Sequence, residues 1–319
     1  MFHLRLVPDN TRIQFMRGRY AGIILSAVLS ILSIGLFFYP GLNYGIDFAG
    51  GIVIEARTQN AADFGKMRHS LGGLNLGSVA LQEFGSPNDV LIRLERQPGG
   101  DDAQQQAANA VRATLAKDFP GTQVRRVEAV GASVSNELFY NGMLALGLSM
   151  GAMLVYIWFR FEWQFGLGAV VTLILDVTKI IGFYAITGIQ FNLVAIAAIL
   201  TIMGYSINDK VVVYDRMREN LRIYKKMPLR QLIDQSINET LNRTLGTSLA
   251  TLLSILPLAI FGGEALQDFG IVLIFGIFLA TSSSIFIAAP ILLFLGENRL
   301  RRTAPAEAPA AATPQQPAQ

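Results

Sequence analysis

Apolar and polar positions divide the chain into six long apolar runs and one mixed stretch. The runs lie at 20–39, 138–159, 163–187, 191–214, 245–261 and within 268–295. A helix of about 20 apolar residues crosses about 30 Å of hydrocarbon, so each run predicts a transmembrane span. The first run is longer than a signal-peptide core and lacks a small-residue cleavage site. Residues 160–162 and 188–190 read as tight turns. Trp158 and Trp163 bracket the first of these, as an aromatic belt does at a membrane interface.

The mixed stretch, 40–137, changes period. A β-branched strand is expected at 52–57 and a helix at 61–71. Two strands follow at 77–84 and 89–96, joined by the turn 85–88. Asp101 or Asp102 is expected to cap a helix over 101–118, and a last strand covers 122–130. The order βαββαβ predicts a ferredoxin-like domain, an architecture that names no function by itself.

Charge orients the spans. Dense Lys and Arg fall in 1–19, 160–162, 216–243 and just after 298, and six spans place these segments on one side. The positive-inside rule makes that side the cytoplasm and puts 40–137 outside. In the connection 216–243, Leu229, Leu232, Ile233, Ile237 and Leu241 follow helical spacing, which predicts an amphipathic helix lying on the inner membrane face. The tail, 296–319, is rich in Ala, Pro and Gln and is expected to be a disordered cytoplasmic segment.

Composition agrees with a membrane protein. Of 319 residues, 52% are hydrophobic and 15% charged, and mean hydropathy is +0.42. A net charge of +3 flanks apolar runs and forms no nucleic-acid patch. Cysteine is absent, which excludes disulfides and thiolate metal sites. His3 and His69 suggest no metal site, and no cofactor is expected. With no P-loop and no Gly-x-Ser-x-Gly, nothing points to an enzyme or a catalytic residue.

The candidate chemistry lies inside the apolar runs. The third carries Thr172, Asp176 and Lys179. The fourth carries Thr201, Tyr205 and Asp209, with Asn208 beside them. The fifth begins near Arg243 and continues through Thr247, Thr251 and Ser254. These stripes predict a shared polar interior. An intramembrane charge costs about 2.5–3.5 kcal/mol on insertion scales, so Asp209 is expected to have a function. Arg243 reads either as the last charge of the inner loop or as the partner of Asp209. Asp176 and Lys179 read as an ion pair, structural or part of a wider network. Lys210 is expected to snorkel to the inner interface, with Asp215 and Arg216 interfacial. A neighbouring arginine favours an ionised carboxylate and desolvation opposes it, so an Asp209–Arg243 pair suits proton coupling.

Two motifs make the chain recognisable. YGIDFAGG (44–51) and AILTIMGYSINDKVVVYDRMREN (198–220) resemble the SecD/SecF family of protein-export membrane proteins, and TRIQFMRGRY (11–20) and NRTLGTSLATLL (242–253) fit the same family. The resemblance implies an RND-type half-transporter in the bacterial inner membrane, with a periplasmic domain and both termini cytoplasmic. It implies SecD as the partner completing the transporter, the SecYEG channel and YajC as associates, an unfolded preprotein as substrate, and the proton gradient as driver. Asp209 matches the family's proton-linked carboxylate, with Asn208 before it, and Arg243 its arginine in the next helix. Gly45, Asp47, Gly50 and Gly51 match the motif just outside the first span, where glycine permits close packing or positive φ. The chain departs from the pattern at Lys210, usually a small polar residue, and at Leu175, usually histidine, with Lys179 added. Other readings are an RND-like exporter of small molecules or lipids, and a scaffold that only assembles the translocase.

Overall fold

The computed structural model describes residues 7–8, 11–84 and 86–295. The tail 296–319, expected to be disordered, lies outside the described residues. Among the described residues, six helices are long and apolar enough to cross a membrane. The first is α1, Arg19–Phe38. A four-residue helix α2, Ile46–Ala49, leads into the small domain. There β1 (Gly51–Arg57), α3 (Phe64–Gly72), β2 (Val79–Phe84), β3 (Ser86–Leu94), α4 (Asp101–Asp118) and β4 (Gln123–Val130) follow. The remaining spans are α5 (Ala132–Arg160), α6 (Trp163–Thr187), α7 (Leu193–Ile223), α8 (Leu229–Phe261) and a sixth. The sixth comprises α9 (Gly263–Ser283), a π-helical turn (Ser284–Ala288) and α10 (Ala289–Leu295).

The small domain has the expected βαββαβ order. Its sheet runs β2-β3-β1-β4 with every neighbouring pair antiparallel. Alternate residues Ile52, Ile54 and Ala56 of β1 and Val90, Ile92 and Leu94 of β3 face Met67, Leu71, Ala108, Val111 and Leu115 of the two helices. That alternation is what a half-covered antiparallel sheet requires. Two local expectations fail. Gly100, at φ 80°, precedes α4 and offers no side-chain cap, so neither Asp101 nor Asp102 is the N-cap. The hairpin is tighter than expected, with β3 already begun at Ser86.

The bundle closes around α6, α7 and the sixth span, each with more than half of its span window buried. The only buried positions of α1 are Ser26, Ser30 and Ser33, at one-turn spacing. Small residues let α1 approach α6 closely, and a Cβ added at Gly182 of α6 would lie 2.8 Å from Ser33 Cα.

The region 216–243 differs from the sequence expectation. α7 continues unbroken to Ile223, and α8 begins at Leu229 and runs on as the fifth span. There is no separate in-plane amphipathic helix. Leu229, Leu232, Ile233, Ile237 and Leu241 are all buried in the bundle's main core, with Met16, Met217 and Leu221. Periodicity identified the apolar face correctly but carries no information on whether lipid or protein covers it. Salt bridges pin this end of the bundle: Arg160–Asp215 at 2.5 Å, Arg216–Glu239 at 2.6 Å and Arg218–Glu162 at 2.8 Å.

Candidate functional site: a buried charge cluster between three spans

Asp176 is the fourteenth residue of α6 and Asp209 the seventeenth of α7. At 1.5 Å per residue they stand about 20 Å and about 24 Å from the first residues of their helices. Both are therefore deep within the spans. Around them the buried faces are otherwise largely apolar, with Leu173, Val177 and Ile180 on α6 and Ile202, Met203 and Val213 on α7, and the polar exceptions Lys179, Ser206 and Lys210 lie within one turn of the two carboxylates.

Asp176 is the hub. It is 1% exposed. Lys210 Nζ lies 3.0 Å from its Oδ2, and the hydroxyls of Ser206 and Ser283 each donate to the same oxygen at 2.8 Å. Lys210 also hydrogen-bonds to Ser206 Oγ and reaches Ser283 Oγ at 3.4 Å. Lys179 Nζ stands 3.8 Å from the other oxygen, Oδ1. Neither Lys179 Nζ nor Asp176 Oδ1 has a hydrogen-bond partner among the described residues. One carboxylate thus serves two lysines, closely by Lys210 and loosely by Lys179.

Asp209 sits beside this hub with a different shell. It is 5% exposed and faces Ser284, Thr244 and Lys210. Its Oδ2 makes no hydrogen bond among the described residues, nor does Thr244 Oγ1. The π-helical turn begins where the two shells meet. Ser283 serves Asp176 and Ser284 faces Asp209, although adjacent residues of an α-helix point about 100° apart. A π-turn is a recurrent way to re-aim side chains at functional positions. Tyr214, fully buried, anchors the turn by donating to Ala288 O at 3.1 Å.

The structure redraws the expected site. Lys210 does not snorkel: it is 1% exposed and pairs with Asp176. Arg243 does not pair with Asp209. It is exposed on α8, while Thr244, one residue on, turns inward. Asn208 is likewise exposed. Asp176 and Lys179 do approach, but inside a wider network. Of the polar stripes, Thr172 is buried and donates to Gly168 O at 2.6 Å. Thr247, Thr251 and Ser254 return their hydroxyls to their own helix. The inward polar face of α8 is instead Thr240, Thr244 and Ser248, with Ser248 bonded to Tyr205 at 2.8 Å and to Thr281 at 2.8 Å. Sequence reasoning missed Ser206, Ser283, Ser284 and Thr244. Their only signal is a hydroxyl one turn from, or opposite, an intramembrane charge. Among the described residues no group of three or more His, Cys, Asp or Glu could hold a metal ion.

The motif outside α1 is placed beside the start of α7. Asp47 Oδ2 accepts from Leu193 N at 3.1 Å, and Gly45 N donates to Phe191 O at 3.0 Å. Gly50 and Gly51 adopt φ of 71° and 120°, a region open to glycine at little steric cost.

Comparison with known proteins fits this geometry. The family model for the C-terminal region of protein export membrane proteins SecD and SecF matches residues 110–298, and that for the SecD/SecF GG motif matches 35–62. The protein translocase subunit SecF of Rickettsia bellii is 44% identical over 306 residues, covering 95% of this chain and 99% of its own. That of Magnetococcus marinus is 44% identical over 297 residues, covering 92% and 95%. The crystal structure of SecDF, a translocon-associated membrane protein from Thermus thermophilus, superposes with a TM-score of 0.81 at 32% identity, over 91% of this chain. The chain spans only 39% of that SecDF chain. The chain therefore belongs to the SecD/SecF family of protein export membrane proteins, as a member of SecF type.

Proposed function

We propose that the chain is one half of a gradient-driven unit that assists Sec-dependent protein export, with SecD as the other half. In this reading it lies in the bacterial inner membrane with both termini in the cytoplasm and the ferredoxin-like domain in the periplasm. The emerging preprotein is the substrate, SecYEG and YajC are neighbours, and lipid surrounds the spans.

One observation carries the reading: two carboxylates and two lysines are buried together inside the bundle, on α6 and α7. Such groups are expensive in a membrane and mark ion pathways by default. With both carboxylates ionised the four charges sum to zero. A proton taken up by Asp209 leaves an excess positive charge on Lys179 and Lys210, which share Asp176. That excess favours movement of α7 toward a wetter or more acidic surrounding, and loss of the proton reverses it. Each charge moved through the membrane field supplies about 2.3 kcal/mol per 100 mV.

Arg243 and Asn208 take a different place in this reading from the direct pair expected of them. They are exposed on α8 and α7 along with Thr201 and Thr247. Polar groups at this depth are costly against lipid, so a second membrane protein is the fitting cover. SecD would bring Arg243 within the reach of charges of its own.

The test is gradient-stimulated export by Asp209→Asn in inverted membrane vesicles. The variant is expected to insert and bind its partner but to lose the gradient-dependent component. Unchanged gradient-stimulated export by this variant would refute the proton role and leave assembly alone.

A further inference from the structure

The GG-motif segment touches three things at once. On one side it grips the start of α7. Asp47 Oδ2 accepts from Leu193 N at 3.1 Å, while Asn192 Oδ1 accepts from Ala195 N at 3.0 Å. Two of the orphan amides at this helix start are thus capped, one of them from a distant segment. The backbones are also bonded: Phe191 N donates to Asn43 O at 2.7 Å and Gly45 N to Phe191 O at 3.0 Å. A Cβ added at Gly45 would stand 2.9 Å from Asn192 Cβ, so only glycine permits this approach.

On a second side Phe48, 9% exposed, packs its ring 5.5 Å from Phe139 of α5 and 5.9 Å from Phe191. On the third, the segment runs straight into the sheet. Gly51 pairs with Val130 of β4, and a Cβ there would be 2.6 Å from Leu94 O of β3. The direct link from the sheet to the start of α7 runs through seven residues, 45–51, and Gly45, Asp47 and Gly51 each make one of its contacts.

We propose that Asp47 is a positioning residue that ties the sheet domain to the start of α7, the helix carrying Asp209 and Lys210, so that displacement of α7 is passed to the domain. The idea rests on the proton reading of Asp209. A carboxylate accepting from a backbone amide needs only an acceptor oxygen, which asparagine also provides. A rigid joint differs in this from a charge that binds a ligand or a proton.

The test uses the full chain reconstituted with its SecD partner in proteoliposomes, read by hydrogen exchange with and without a proton gradient. In the wild type the gradient is expected to change exchange both around 206–213 and in β1 and β4. Asp47→Ala is expected to keep the first response and lose the second, with about fivefold faster exchange at 193–195. Asp47→Asn is expected to retain both, which a role for the negative charge would not allow. An unchanged domain response in Asp47→Ala would overturn the joint while leaving the proton reading intact. Failure of Asp47→Asn to preserve the response would also overturn it, in favour of the charge. No gradient response anywhere in the wild type would refute the proton reading, and this inference with it. Should Asp47→Ala not accumulate, Asn192→Ala removes only the local cap and is expected to speed exchange at 195 while keeping the domain response; its loss there would place the coupling in helix stability and overturn the joint.

Discussion

Lys210 Nζ lies 3.0 Å from Asp176 Oδ2, and each side chain is only 1% exposed. Removing one member of such a pair leaves a buried charge without its counter-ion, which costs about 3–5 kcal/mol. Asp176→Asn leaves Lys210 and Lys179 with only Asp209 as counter-ion and is expected to be the most destabilising change in the cluster. Lys210→Met is milder, because Lys179 still neutralises Asp176. The double variant is expected to be more stable than Asp176→Asn alone, with a coupling of about 1–3 kcal/mol. Thermal unfolding in detergent of the three variants checks the order.

Close approach of α1 and α6 at Ser33 and Gly182 gives a second expectation. A Cβ at 182 would stand 2.8 Å from Ser33 Cα, a backbone atom that cannot swing aside. Gly182→Ala is expected to separate the two helices and to cost about 1–3 kcal/mol. Gly35→Ala, with nothing within 4 Å of the added carbon, is the control and is expected to be neutral. Thermal shift of the purified protein separates the two.

In the small domain, Asp89 joins β3 to its neighbours. Arg57 donates to it at 2.6 and 2.5 Å, Ser86 at 2.8 Å, and Arg125 stands 3.5 Å away. The Arg57 hydrogen bonds, aided by Ser86, hold this carboxyl below its usual range, at about 2. A depressed value in the folded state means the stabilisation is present above the unfolded value near 4. It is lost as pH falls through about 2. Arg57 is half-exposed, so solvent screens the pair and its contribution is modest. Asp89→Asn is expected to lower domain stability slightly at pH 7 and to flatten its decline between pH 4 and 2. Hydrogen exchange of β1 and β3 across that range measures both.

The N-terminal segment is held to α8 by side chains that imitate backbone. Asn238 accepts from Ile13 N at 3.0 Å and donates to Ile13 O at 2.9 Å, while Asp234 accepts from Met16 N at 2.8 Å. Asn238→Ala removes two of these three bonds, each worth about 1 kcal/mol. Faster tryptic cleavage after Arg12 and Arg17 is expected, with the span helices unaffected. Equal cleavage in variant and wild type would show that the Asp234 bond and burial of Met16 suffice to secure the segment.

Much of this architecture was legible in the chain. Long apolar runs report on burial itself, so all six spans emerged, although the helices of the fourth and fifth extend well beyond their apolar runs, and the sheet strands emerged within a few residues. Lys210 was not legible. A stripe drawn through Thr201, Tyr205 and Asp209 implies one inward line, whereas α7 is enclosed on a broad arc and buries Ser206, Asp209, Lys210 and Val213 together. Arg243 failed for the opposite reason. Its neighbour Thr244 carries the inward face of α8, and no periodicity in a helix rich in hydroxyls fixes the phase to within one residue. Ser283 and Ser284 were silent because sequence gives no sign of a π-turn and serine is common in membrane helices.

α7 has 31 residues in one unbroken helix, about 46 Å of rod at 1.5 Å per residue. The hydrocarbon it crosses is about 30 Å thick. Roughly a third of the rod therefore stands clear of lipid, and that length carries Arg216, Arg218 and Asn220, each bonded to α8 or to the turn between α5 and α6. A tilt of about 5° about the rod's midpoint would swing each end by about 2 Å in opposite directions. On the proposed reading, the charge cluster near its centre would act as a fulcrum, and one protonation event would be felt simultaneously on both faces of the membrane.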